Sequence, residues 1–227
     1  DLVWVHPYYG IYGGPAGAYL LDLLDVVAAP VVVTLHTVLE TPDTDQRRVL
    51  ERLASRASLL VVMADHARSL LERVYGVPAD RISVIEHGVP DREFVTPFVA
   101  RRRFGIPDRK TIMTFGLLSP GKGIEAMIQA MPAILARSPD AVYRVIGATH
   151  PHLVAHEGER YRDMLKAMAR ELGIGDRVLF LGQVPEDRRF FRAFDVFALT
   201  SDHEPFGMVL LEAMAAGLPL LARACGC

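Results

Sequence analysis

Apolar residues alternate between two patterns along the chain. Solid runs rich in Val, Ile and Leu occupy 2–6, 30–36, 59–63, 81–85, 111–115, 141–146, 177–181, 196–199 and 218–222. Between most of them, apolar positions recur every three or four residues, over 16–27, 44–56, 65–75, 123–136, 159–172, 186–193 and 207–216. The first pattern predicts strands and the second amphipathic helices. A strand with one wet face would alternate, whereas a solid run is expected when helices cover both faces of its sheet. Strands and helices in alternation predict an α/β fold built on parallel sheets. The rhythm weakens between 88 and 108, where Gly88, Pro90, Pro97, Gly105 and Pro107 surround a charged helix-like piece, 100–104, that carries the basic run Arg101-Arg102-Arg103. Turn residues without periodicity mark a linker. The expected domains are 1–95, with four strands, and 96–227, with five. The arginine run reads as a solvated linker face, with a phosphate or lipid-headgroup patch as the alternative.

Composition narrows the function classes. Of 227 residues, 51% are hydrophobic, enough to bury one or two cores. A formal net charge of −2 gives no general attraction for nucleic acid or an anionic membrane. The two cysteines, Cys225 and Cys227, exclude a disulfide framework and suit a reducing, cytoplasmic compartment. They lack the further Cys or nearby His that a metal set needs. No run reaches the roughly 18 apolar residues of a membrane span, and no signal-peptide pattern occurs. Both chain ends sit beside apolar strand-like runs. The first domain is therefore expected to be incomplete and the second to lack its last elements.

Two segments carry candidate chemistry. Gly116-Leu-Leu-Ser-Pro-Gly121-Lys122-Gly123 joins a predicted strand to a predicted helix. Glycines let backbone approach a phosphate, the helix start offers N–H groups, and a lysine neutralises charge. The spacing is close to the Gly-x4-Gly-Lys-Ser/Thr of a P-loop. However, Gly123 stands where the Mg²⁺-binding hydroxyl belongs, which argues against a P-loop NTPase. Alone, the loop also reads as a tight turn with a surface lysine. The second segment, 204–212, runs Glu-Pro-Phe-Gly-Met-Val-Leu-Leu-Glu. It sets Glu204 before a helix start and Glu212 within the helix. A helix N-terminus suits an anion, and flanking carboxylates accept hydrogen bonds from neutral hydroxyls. An anion and hydroxyls together describe a nucleotide sugar. Both segments should lie at carboxyl ends of strands in one doubly wound sheet, where ligands bind.

The Glu-x7-Glu motif, the Gly-rich loop ending Lys122-Gly123, and Val84-Ile-Glu-His-Gly88-Val resemble retaining glycosyltransferases of family 4. These have a GT-B fold of two Rossmann-like parallel-sheet domains. The resemblance covers nearly all of the chain, and 204–220 is its most specific part. It implies transfer of a sugar from a nucleotide-diphosphate sugar with retention at the anomeric carbon. It implies a hexosyltransferase without a metal cofactor. His36, Glu204 and Lys122 are then the expected catalytic residues. Gly116, Gly121, Lys122, Gly182, Glu204, Phe206, Gly207, Met208 and Glu212 are the expected donor-binding residues. Glu204 would take the sugar hydroxyls and Glu212 the ribose. Lys122 would take the diphosphate, and the amides of 206–208 the sugar and phosphate. The strand 177–181 with Gly182 would lie near the base. The chain departs from the family at Leu117, where an arginine usually supplies a second cation. The expected partners are a nucleotide sugar and an acceptor left open among saccharide, lipid-linked and small-molecule classes. Peripheral membrane contact is compatible with a lipid-linked acceptor; nucleic acid is not expected.

The other histidines are scattered. His152 and His156 are four apart, but the prolines around them predict a loop rather than a shared helix face. His36 read alone is a hydrogen-bonded strand-end residue, and His87 fits a turn or a cleft equally well. Three rival functions remain: nucleotide-sugar epimerase, sugar phosphorylase, and non-catalytic nucleotide-sugar-binding module.

Overall fold

The computed structural model describes residues 1–91, 94–183, 188–204 and 206–225. The chain divides into two compact units, Asp1–Gly88 and Val89–Cys225. Each is a parallel α/β unit, as the solid apolar runs predict.

The first unit runs β1 (Val3–Val5), α1 (Tyr19–Val26), β2 (Val31–Thr34), α2 (Thr44–Arg56), β3 (Leu59–Val62), α3 (Asp65–Tyr75) and β4 (Ile82–Val84). The strands pair in parallel in sequence order. Val31, Val33, Leu60 and Val62 are fully buried beneath Leu50, Leu53 and Leu71 of the helices. Helix α2 starts where Asp43 accepts from the Gln46 N–H and the Gln46 side chain accepts from the Asp43 N–H. This reciprocal cap satisfies two amides that the helix cannot, which is worth about 1 kcal/mol.

The second unit runs α4 (Pro97–Phe104), β5 (Thr111–Phe115), α5 (Ile124–Arg137), β6 (Val142–Ile146), α6 (Pro151–Glu157), α7 (Arg160–Glu171), β7 (Val178–Gly182), β8 (Val196–Leu199), α8 (Met208–Ala215) and β9 (Leu220–Ala222). Its strands stand in the order β7-β6-β5-β8-β9, all parallel. From β5 the chain builds outward through β6 to β7, then returns to the other side of β5 for β8 and β9. The order reverses between β5 and β8, and there the outgoing loops diverge and leave a crevice. A buried relay holds these strands together. The Tyr143 hydroxyl donates to Thr114 Oγ1 at 2.8 Å, and Thr114 Oγ1 donates to the Ala198 carbonyl at 2.8 Å. Burial pushes the Tyr143 hydroxyl pKa upward, so it stays protonated and remains a donor.

Two segments differ from the sequence expectation, and a third refines it. The helix-like piece at 100–104 is part of α4, started by Pro97 and the Thr96 side chain, but its Arg101 does not lie on a solvated face. Arg101 is largely withdrawn from solvent; it donates to the Ala193 carbonyl and to Asp195 Oδ2 at 2.8 Å, and pairs with Asp108. It clamps α4 to the strand layer, while Arg102 and Arg103 stay exposed. The loop expected around His152 and His156 is helix α6. Pro151 fills its first turn, and His150 Nδ1 accepts the His152 N–H at 3.2 Å. The two histidines do share a face, with ring centroids 4.4 Å apart. No third metal ligand joins them among the described residues. The helix expected over 186–193 is a 3-10 turn over 188–193; residues 186 and 187 lie outside the described residues. A three-residue period eclipses Phe190 with Ala193 and Phe191 with Phe194, and all four are buried. Among the described residues, no helix is long and apolar enough to cross a membrane.

Candidate active site

The crevice of the second unit is floored by the loop that follows β5. Gly116 N–H donates to the Ile146 carbonyl at 3.0 Å and Leu118 N–H to the Ala148 carbonyl at 2.9 Å. The His150 N–H returns to the Leu118 carbonyl at 3.0 Å. Residues 116–118 therefore prolong the β5–β6 ladder instead of forming a slack loop. Pro120–Lys122 then makes one 3-10 turn, and Gly123 takes a left-handed φ of 61° to enter α5.

The loop after β8 is fastened to this one. Thr200 Oγ1 donates to the Gly123 carbonyl at 2.7 Å, and Asp202 N–H donates to the Gly121 carbonyl at 2.9 Å. The contact is tight enough that a Cβ on Gly123 would sit 2.1 Å from the Thr200 carbonyl oxygen. The position where a P-loop needs serine or threonine is thus closed to any side chain, which accounts for the sequence failure at that place.

These bonds bring Lys122 and Glu204 together. Lys122 Nζ lies 2.9 Å from Glu204 Oε2, and the Ser201 hydroxyl lies 3.4 Å from the same oxygen. The side chains keep 33% and 19% of their exposure, so the pair is partly desolvated but reachable from the crevice. Next along the chain, Gly207 adopts a left-handed φ of 76° and α8 begins at Met208. Pro205 lies outside the described residues. Glu212 sits one turn after Met208 on the same helix face, while Ala213 packs into the core. The first turn of α8 and two acidic residues therefore belong to one loop-helix corner, whose Glu204 touches Lys122. Gly116 and Gly121 lie on the loop opposite. Gly182 stands farther along the edge, where its carbonyl accepts the Gly147 N–H at 2.8 Å. Gly116, Gly147 and Gly182 thus stand at the ends of three neighbouring strands.

His36 belongs to the first unit, and the structure sets it in a cluster that the sequence reading missed. His6 Nδ1 is 3.0 Å from His36 Nε2. The His36 ring also stacks on Tyr8, at 4.9 Å between centroids, and on His87, at 5.8 Å. A signal was present: His6, His36 and His87 each fall within three residues of a strand's carboxyl end, and such positions share one edge of a parallel sheet. Desolvation, then the like charges of His6 and His87, lower the His36 pKa below its usual 6.5. Because the unfolded chain holds that proton more tightly, this group favours folding above about pH 6.5 and opposes it as pH falls below. Unfolding midpoints measured across pH 5 to 8 should drop on the acid side, and His36→Asn should flatten the drop. An imidazole NMR titration of His36 at or above 6.5 would refute this.

Comparison with known proteins now adds to the geometry. The profile described as Glycosyltransferase Family 4 matches residues 1–93, and that described as Glycosyl transferases group 1 matches residues 98–227. The chain belongs to the group 1 glycosyltransferases. Among its relatives, a D-inositol 3-phosphate glycosyltransferase of Corynebacterium glutamicum is 33% identical over 98% of this chain and 56% of its own length. An uncharacterized glycosyltransferase of Methanocaldococcus jannaschii is 31% identical over 90% of this chain and 54% of its own. Anabaena HepE, solved in complex with UDP, aligns with a TM-score of 0.79 at 26% identity, over 100% of this chain and 60% of its own. The chain thus spans little more than half of each relative. Its two parallel-sheet units have the GT-B architecture of these glycosyltransferases.

Proposed function

We propose that this group 1 glycosyltransferase moves a hexose from a nucleotide-diphosphate sugar to an acceptor with retention of anomeric configuration. The observation that carries the reading is the Lys122–Glu204 contact at the point where the second sheet reverses its order. A cation and an acceptor carboxylate side by side match a ligand that joins a diphosphate to a polyhydroxylated ring. Lys122 and the first turn of α8 would take the diphosphate charge, and Glu204 the sugar hydroxyls. Glu212 would accept from the ribose, and the Gly182 edge would lie near the base.

Breaking the bond between the anomeric carbon and phosphate oxygen would send the electron pair to the diphosphate. The ring would be left as an oxocarbenium-like centre. An acceptor hydroxyl would attack from the same face and hand its proton to the departing phosphate oxygen. The protein's contribution is to position the partners and stabilise charge on the leaving group, which Lys122 and helix dipoles perform without a metal. The UDP bound to HepE supports a nucleoside diphosphate as ligand. The name of the Corynebacterium relative supports sugar transfer. The resemblance also assigns His36 a place at the donor sugar, which His36→Ala tests.

The test is a saturation-transfer NMR panel of UDP-, GDP- and ADP-sugars on the full-length protein, followed by product analysis. One nucleotide series should bind below about 1 mM, and the sugar should appear as a glycoside. Absence of binding across the panel overturns the reading. Leu117 favours a second reading, a binding module that retains its donor without turning it over. Binding without any product would decide for that one, whereas a free epimer or a sugar phosphate would identify the other rivals.

A further inference from the structure

The donor reading leaves an electrostatic gap, because among the described residues it sets Lys122 against the diphosphate without the second cation that the family usually has. Leu117 occupies that place and is 42% exposed. The second sheet holds a cation that the sequence reading passed over. Arg162, near the start of α7, is only 16% exposed, and it reaches back to donate to the Gly147 carbonyl. Gly147 directly follows β6 and presses on Gly116; a Cβ there would lie 1.8 Å from the Gly116 carbonyl oxygen. The guanidinium therefore sits at the same strand edge as Gly116 and Leu117.

Arg162 is poorly satisfied for an arginine so withdrawn from water. Its Nε is buried without a hydrogen-bond partner among the described residues. The nearest carboxylate oxygen, Glu159 Oε2, is 3.6 Å away and already accepts from the Thr149 hydroxyl. A guanidinium carries five N–H donors in a fixed fork, and a buried donor without an acceptor costs stability. Among the described residues, two other arginines also carry a buried nitrogen without a partner. Arg144 lies mid-strand in β6, and Arg192 already grips the Val95 and Ala216 carbonyls. Neither stands at the strand edge beside Leu117. Arg223, at the end of β9, is exposed and neutralised by Asp202.

We infer that Arg162 is the second cation of the donor site, its guanidinium supplying the charge on the diphosphate that Leu117 does not. This rests on the nucleotide-sugar reading above. The bland alternative is a purely structural clamp on residues 147–150. The two differ in what an arginine at position 117 would do.

The test is calorimetric titration of the full-length protein with UDP, GDP and ADP and with the corresponding nucleosides. It compares wild type, Arg162→Lys, Arg162→Ala and Arg162→Ala/Leu117→Arg, with thermal unfolding of each. Losing a charge-assisted contact should weaken the bound diphosphate about 10- to 100-fold in Arg162→Ala and leave nucleoside affinity unchanged. Arg162→Lys should fall between, and Leu117→Arg should recover most of the loss without restoring any fall in melting temperature. Unchanged diphosphate affinity in Arg162→Ala overturns the inference. So does an equal loss for diphosphate and nucleoside, or a loss that Leu117→Arg leaves standing. If Arg162→Ala does not fold, Arg162→Lys alone and with Leu117→Arg decides by the same criteria. If wild type binds none of the nucleoside diphosphates, the donor reading itself falls and takes this inference with it.

Discussion

Lys122→Ala and Glu204→Gln in the full-length enzyme should each lower kcat/KM for sugar transfer by about 10²–10³-fold, while shifting free nucleoside diphosphate affinity in opposite directions. The opposition follows from the ion pair. Lys122 Nζ lies 2.9 Å from Glu204 Oε2. A diphosphate must draw the lysine away and so gives up part of that attraction. Glu204→Gln removes the competing charge, so the bare nucleoside diphosphate should bind more tightly even as transfer falls, because a neutral amide accepts from the sugar hydroxyls more weakly than a carboxylate. Lys122→Ala removes the cation, so both binding and transfer should fall. Neither change should unfold the protein, because a partly exposed pair is worth at most about 1 kcal/mol. Steady-state kinetics, calorimetry and a melting curve on the two variants test all three points. Normal turnover in both, or weaker diphosphate binding by Glu204→Gln, would sink the assignment.

Gly147→Ala should be the most damaging single-methyl change in the second unit, destabilising it by about 3 kcal/mol or more. The glycine has a φ of 143°, and an added Cβ would meet the Gly116 carbonyl oxygen at 1.8 Å. Neither side can yield easily. Gly147 N–H is bound to Gly182, and Gly116 N–H to Ile146. Relief would have to unzip the ladder that holds the glycine loop. Gly182→Ala is the control. It has a left-handed φ of 67° but no atom within 4 Å of the added Cβ, so it should cost only about 1–2 kcal/mol. Calorimetric melting of the two variants should separate them by several degrees. Equal melting temperatures would show that the crowding at Gly147 is relieved at little cost.

Periodicity reveals local structure, and so the strands, most helices and the two-unit organisation were legible. The solid run at 111–115 could only be a doubly covered strand. Sheet order is another matter. Nothing in the spacing of apolar residues says that β8 returns to lie beside β5, yet that return is what seats Glu204 on Lys122. The tie is made by Thr200 and Asp202, side-chain and backbone donors that carry no sequence signature. Arg162 was invisible for a related reason: on a helical pattern it is one more polar residue, and only the fold shows it turned back to the sheet edge. Helix α6 was missed because a histidine caps it where Ser, Thr, Asp or Asn would have announced it. The histidine cluster needed only one added rule, that residues just past neighbouring parallel strands converge.

One detail of the glycine loop bears on what Leu117 does contribute. Gly116 and Leu118 both aim their N–H groups at β6. In an extended segment consecutive amides face opposite sides, so the Leu117 N–H is turned toward β8. Its proton should therefore exchange with solvent far faster than those of residues 116 and 118. Adding a nucleoside diphosphate should slow that exchange selectively, so that the residue whose side chain brings no charge can still report on the ligand through its backbone.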